Sequence, residues 1–280
     1  MKLGCSAWGW AVEGWGYERA LPEVARLGFG YAGLQASRGG GWSYTGYFTP
    51  PKRRELGTLA DGLGLRFSEL VVWGHELNHP EEARRAQALE DVRRGAEIAR
   101  DLGAPLVDLT VPPPGGSPVR HDFKVSGALP AGYSWDADWA RYVEAMRAAL
   151  EICAAEGCGV VLETFPYSIC STPEAFLRLA ADVDHPGLGI NLDTCHQHSQ
   201  RHDPALSVLK LRRFIRHTHL KDSDGEPAGC GKVDFAEVLS ALERVGYDGV
   251  LSIEVEGFRQ TSRYVRMAKT HIETILAGQW

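Results

Sequence analysis

Four short apolar runs in the C-terminal half of this chain each end in a group able to bind a metal ion or move a proton. They read Val160-Val161-Leu162-Glu163, Leu188-Gly189-Ile190-Asn191-Leu192-Asp193, Phe214-Ile215-Arg216-His217-Thr218-His219 and Val250-Leu251-Ser252-Ile253-Glu254. Each run has the composition of a strand, and helical sequence lies between them. Acidic groups inside a barrel are costly unless paired or metal-bound. Three carboxylates and an imidazole at the C-terminal ends of consecutive strands are what a divalent metal site on an α/β barrel needs. A single carboxylate of this kind reads as a helix cap or a surface charge; four coincidences at four strand ends do not. Side chains alternate along a strand, so His217 faces the same way as His219, and Glu254 the same way as Glu256. In each pair the second member lies nearer the barrel mouth, and spacing leaves open which one binds. His217 also reads as a buried histidine hydrogen-bonded within the barrel, and Glu256 as a supporting or solvent-facing acid.

Positioning these groups takes a regular scaffold, and strand and helix patterns alternate from end to end. Strand-like segments fall near 2–6, 30–36, 65–72, 104–111, 158–165, 188–194, 214–221 and 249–256. The clearest helix is 80–102, where Ala83, Ala86, Leu89, Val92, Ala96 and Ala99 recur at helical spacing among charges. Pro80 before Glu81 and Glu82 suits its start and Gly103 its end. Segments 136–155 and 172–181 read likewise. Eight such units imply parallel strands with crossover helices closed into a barrel: the α/β class, as a (β/α)8 TIM barrel in a single domain over 1–280. An open doubly wound sheet usually shows a Gly-rich phosphate loop after its first strand, and none is present. One long loop follows the fourth strand, from Pro112-Pro113-Pro114-Gly115-Gly116 to about Trp135, and reads as a lid or a surface excursion.

Composition narrows the function classes. The 280 residues carry a net charge of -6, which gives no footprint for nucleic acid or an anionic membrane. No apolar stretch approaches the roughly 20 residues of a membrane span. No signal peptide is read at Met1-Lys2-Leu3-Gly4-Cys5-Ser6, because no apolar region precedes a small-residue site. The six cysteines are scattered with no C-x-x-C pair, as expected of free thiols in the cytoplasm.

The segments Leu162-Glu163-Thr164, Leu192-Asp193-Thr194-Cys195-His196, His217-Thr218-His219-Leu220-Lys221-Asp222 and Ser252-Ile253-Glu254 resemble the sugar phosphate isomerase/epimerase family, in the xylose isomerase-like TIM barrel superfamily. Gly231-Lys232-Val233-Asp234-Phe235 and Gly246-Tyr247-Asp248-Gly249 resemble its seventh-to-eighth unit. The resemblance is dense over 157–257 and only architectural before that. It implies Glu163, Asp193, His219 and Glu254 as metal ligands, His196 as a substrate contact and a homodimer. Hard oxygens with one imidazole suit Mn²⁺ first, with Mg²⁺, Co²⁺ and Zn²⁺ as alternatives.

The chemistry that follows is proton abstraction next to a carbonyl. A metal polarises the carbonyl of a keto sugar or polyol and stabilises an enediolate, while Glu163 and Glu254, which resemble the pair of the ketose 3-epimerases, act as base and acid. Three carboxylates and a dication sum to about -1, which favours a neutral substrate unless Lys221, Arg120 or Lys124 supplies further cations. Two departures separate the chain from the epimerase subgroup. Its acidic residue six positions after the first ligand is Ile169 here, and its arginine six after the histidine is Gly225. Lys221 offers a substrate-binding or acid/base role. Aromatics crowd the first units (Trp8, Trp10, Trp15, Trp42, Tyr44, Tyr47, Phe48 and Trp73), and Trp8 and His75 are the substrate contacts expected on the catalytic face. Competing readings are a lyase of the inosose or dehydroshikimate dehydratase type, an endonuclease IV-like nuclease and a non-catalytic sugar-binding barrel. The nuclease reading lacks histidines, with Gln35 on the second strand and no histidine two residues after Asp234.

Overall fold

In the computed structural model the eight apolar runs become eight parallel strands: β1 (Lys2–Ser6), β2 (Tyr31–Ala36), β3 (Arg66–Val72), β4 (Leu106–Thr110), β5 (Gly159–Glu163), β6 (Leu188–Asp193), β7 (Ile215–Leu220) and β8 (Val250–Ile253). They pair in chain order, and β8 closes on β1 with Lys2 opposite Val250 and Cys5 opposite Ile253. The structure describes residues 1–116, 129 and 131–278. The expected lid segment, with Arg120 and Lys124, lies largely outside the described residues. No described helix is long and apolar enough to cross a membrane.

The helices are α1 (Tyr17–Arg26), α2 (Pro50–Leu63), α3 (Glu82–Leu102), α4 (Trp135–Ala155), α5 (Pro173–Val183), α6 (Thr194–Ser199), α7 (Pro204–Leu211), α8 (Phe235–Arg244) and α9 (Thr261–Leu276). Local chemistry sets their ends. Thr172 caps α5 by accepting the Ala175 N–H at 3.1 Å, and Pro173 takes the first position, where a missing N–H costs nothing. Gly103 ends α3 in the left-handed region at φ 72°. The start of α3 falls two residues later than Pro80 suggests, because Glu81 remains extended at ψ 122°.

Strands β1 to β3 end where the sequence places them, β4 to β7 stop one or two residues short, and β8 stops three short of the expected end. Glu254 therefore lies just past β8, tied down by its N–H to the Leu220 carbonyl at 3.2 Å. The hydrophobic core fills the space between strands and helices, where Leu34, Leu70, Val72, Leu109, Leu162, Ile190 and Leu251 are fully buried. Helix α3 approaches β3 closely because Gly95 carries no side chain; a Cβ there would collide with Val72. The barrel interior is different. Glu69, Asp108, Asn191, His217 and His219 are all buried, and they meet one another across the barrel axis.

Candidate metal centre

Each of the four expected ligands leaves the barrel at the end of its strand. Glu163 ends β5, Asp193 ends β6, His219 is the next-to-last residue of β7 and Glu254 follows β8. The structure brings all four together: one donor atom from each lies within 4.8 Å of all the others, and all four residues are buried. His219 Nδ1 is 2.7 Å from Glu163 Oε1 and 3.5 Å from Glu254 Oε2.

Asp193 shows how local structure fixes one of the expected ligands. It caps α6, where Oδ1 accepts the His196 N–H at 2.8 Å. The cap fixes the carboxylate and leaves Oδ2 buried, with no hydrogen bond among the described residues, as is Glu254 Oε2. Buried carboxylate oxygens need compensating positive charge, and two of them facing one cluster suit a cation. Lys221 Nζ already stands nearby, 2.8 Å from Glu254 Oε2, 3.5 Å from Asp193 Oδ2 and 3.7 Å from Glu256 Oε2. The donor set of carboxylate oxygens and one imidazole nitrogen fits a hard or borderline dication.

The electrostatics follow from crowding like charges in a dry place. Burial lifts Glu163 to about 7, with Glu254 and Asp193 adding to it and His219 opposing. Burial disfavours charge on His219 and Lys221, but the surrounding carboxylates outweigh it and hold both well above their ordinary values. His196 is pushed down to about 3 by burial and then by Lys221.

The expected substrate contacts divide. Trp8 lies in a 3-10 turn over Ala7–Glu13, where its Nε1–H donates to Glu256 Oε1 at 2.6 Å and its ring meets His219 edge-on at 5.6 Å. Phe165 packs on His196 at 4.3 Å. His75 is one ring further out, 6.5 Å from Phe165 and 4.8 Å from Trp73, and does not join the ligand cluster. Most other N-terminal aromatics pack among themselves, as in the Tyr17–Trp42 and Trp10–Trp15 stacks.

Sequence reasoning missed Glu69 and Asp108. Asp108 Oδ2 accepts from Asn191 Nδ2 at 2.6 Å, and the same amide lies 3.0 Å from His219 Nδ1. Burial and then Glu163 raise the Asp108 carboxyl well above the usual carboxylate range. The signal was a carboxylate in the middle of an apolar run, Phe67-Ser68-Glu69-Leu70-Val71 and Leu106-Val107-Asp108-Leu109. His217, one of the two histidines left open by spacing, meets Glu69 inside the barrel. Glu256 is neither idle nor in the four-residue cluster; it bridges Trp8 and Lys221.

A sequence model of the xylose isomerase-like TIM barrel family matches residues 21–274, and the chain belongs to that family. An uncharacterized protein of Methanocaldococcus jannaschii is 29% identical over 246 residues, 82% of this chain and 78% of its own length. The D-psicose 3-epimerase of Ruminiclostridium cellulolyticum is 25% identical over 249 residues, 85% of this chain and 78% of its own. In fold, the chain is similar to the solved D-psicose 3-epimerase with D-tagatose from Clostridium cellulolyticum H10. The TM-score is 0.81 at 18% identity over 99% of each chain.

Proposed function

We propose that this member of the xylose isomerase-like TIM barrel family is a divalent-metal-dependent epimerase or isomerase of an unphosphorylated keto sugar or related polyol. The observation that carries the reading is the convergence of Glu163, Asp193, His219 and Glu254 within 4.8 Å at the C-terminal face of the barrel. The likeness to ketose 3-epimerases gives it a substrate class. Mn²⁺ is the first choice of ion, with Mg²⁺, Co²⁺ and Zn²⁺ as alternatives.

When bound, the ion supplies Lewis-acid polarisation of a carbonyl and its neighbouring hydroxyl. The chain supplies the rest. Glu163 and Glu254 reach the cluster from β5 and from the end of β8, 2.7 and 3.5 Å from His219 Nδ1, and serve as the base and the acid. One takes the proton beside the carbonyl and the other returns it. Lys221 Nζ orients a substrate oxygen, and His196 and Trp8 form the wall against the ring, with His75 further out. Three carboxylates already share Lys221, which leaves little positive field for a phosphate and favours a neutral substrate. Six unpaired cysteines suit the cytoplasm. A homodimer is part of the proposal, to be read by light scattering.

A lyase is the second reading, because Lys221 Nζ beside Glu254 is a candidate acid for a leaving hydroxyl and Gly225 stands where the epimerase subgroup carries an arginine. The test is metal content by mass spectrometry, followed by reaction with keto sugars and inososes in D₂O. About one ion per chain and deuterium beside the carbonyl, with no loss of water, support the epimerase reading. Loss of water identifies the lyase. No bound ion after reconstitution removes the mechanism.

A further inference from the structure

The two ring nitrogens of His219 face different groups. Nδ1 faces the carboxylate cluster, 2.7 Å from Glu163 Oε1. Nε2 faces into the barrel, 3.6 Å from Glu69 Oε1. The other Glu69 oxygen is 3.0 Å from His217 Nε2. All three side chains are at most 1% exposed, and among the described residues these four atoms have no hydrogen-bond partner elsewhere. Glu69 fits here because β2 carries a glycine opposite it. A Cβ on Gly33 would collide with Glu69 Oε1 and lie 3.0 Å from Trp8 Cζ3.

We propose that Glu69 is a positioning residue for the metal centre, taking the Nε2 side of His219 so that Nδ1 is the nitrogen presented to the ion. The inference rests on the metal-dependent reading above. A neutral imidazole that ligates through Nδ1 carries its proton on Nε2, and the acceptor opposite that nitrogen sets the ring's orientation and basicity. Glu69 is the carboxylate that stands there. His217 holds its second oxygen, and Gly33 leaves the space for a side chain of this length. The same three residues could be read as an ion site of their own, since their donor atoms lie within 4.8 Å of one another. An ion there as well as at Nδ1 would require His219 to give up both ring protons, so the positioning role is the simpler use of the trio.

The test titrates Co²⁺ and Mn²⁺ into wild type, Glu69→Gln, Glu69→Ala and Gly33→Ala, and reads affinity, the Co²⁺ visible spectrum and the metal-free melting temperature. The expected result is a ~10–100-fold loss of affinity. Glu69→Gln falls at the low end, because its amide oxygen still accepts the N–H. Glu69→Ala and Gly33→Ala fall at the high end. The Co²⁺ spectrum changes, and the metal-free proteins keep their fold. Glu69→Gln is near-isosteric and remains informative if the alanine variants fail to fold. Affinity within twofold of wild type in every folded variant overturns the proposal and leaves the metal reading intact. Wild type without an ion removes both. Two ions per chain, one of them lost in Glu69→Gln, make Glu69 a ligand and overturn its positioning role.

Discussion

The two halves of the barrel carry their acids at different heights. From β5 to β8 the carboxylates stand at or just beyond the strand ends, at Glu163, Asp193 and Glu254. From β1 to β4 they stand within the strand, at Glu69 in β3 and Asp108 in β4. A group at the strand end can face a ligand entering from the mouth. A group within the strand meets only side chains from other strands, and it acts through them. Glu69 meets the two histidines of β7, and Asp108 meets Asn191 of β6. On the proposed reading, the second half presents the reacting set, and the first half holds that set from below and walls it with Trp8.

The largest effect should come from the second half. Glu254→Gln and His219→Ala should lose the bound ion and reduce turnover by about 10²–10⁴-fold, the usual worth of a positioned acid or base, with the barrel intact. Metal analysis, circular dichroism and kinetics on the same preparations check this. Full activity in both variants would break the comparison, because the strand-end set would then not be the reacting set.

Lys221→Met tests the charge balance of the same cluster. Removing a buried cation leaves Asp193 and Glu254 with uncompensated charge, at a cost of about 3–5 kcal/mol in metal-free protein. Denaturation with chelator should reveal that loss, and saturating Mn²⁺ should recover part of it. An equal response of wild type and variant to Mn²⁺ would mean that Lys221 and the ion do not share partners.

Glu163 gives the comparison a pH dependence. Its folded value of about 7 lies above its ordinary 4.5, so the folded chain binds more protons than the unfolded chain between these values. Its contribution to stability is full below about 4.5 and is lost as the pH rises through about 7. Metal-free wild type should therefore lose stability relative to Glu163→Gln across that window, on the order of 3 kcal/mol. Melting curves at several pH values read it. A flat difference would show that the carboxylates at the strand ends are not crowded.

The same division explains what the sequence made legible. Alternating runs and helix stops were enough for eight strands in order, and the strand-end groups stood out because each closes an apolar run. Glu69 and Asp108 were hidden because a single mid-strand acid has no local partner; His217 and Asn191 are more than 80 residues away in each case. Of the aromatics, Trp8 and Trp10 are two residues apart in one turn, yet Trp8 bonds Glu256 while Trp10 Nε1–H donates to Ser262 at 3.0 Å. Only the path of the chain after β1 separates them.

Trp8→Phe is the smallest of the changes and the sharpest test of the wall. Phenylalanine keeps a ring against His219 but loses the donor to Glu256 Oε1. The side chain of Glu256 is 47% exposed, so water can replace the lost donor, and the net loss should be about 1 kcal/mol. That loss is read as stability in metal-free melting, while the retained ring should leave KM for a keto sugar, kcat and Mn²⁺ affinity nearly unchanged. Trp8→Ala, which removes the ring as well, should raise KM. A loss of Mn²⁺ from Trp8→Phe would count against the division itself. It would mean that the turn after β1 holds the ion's ligands in place and does not merely face the substrate.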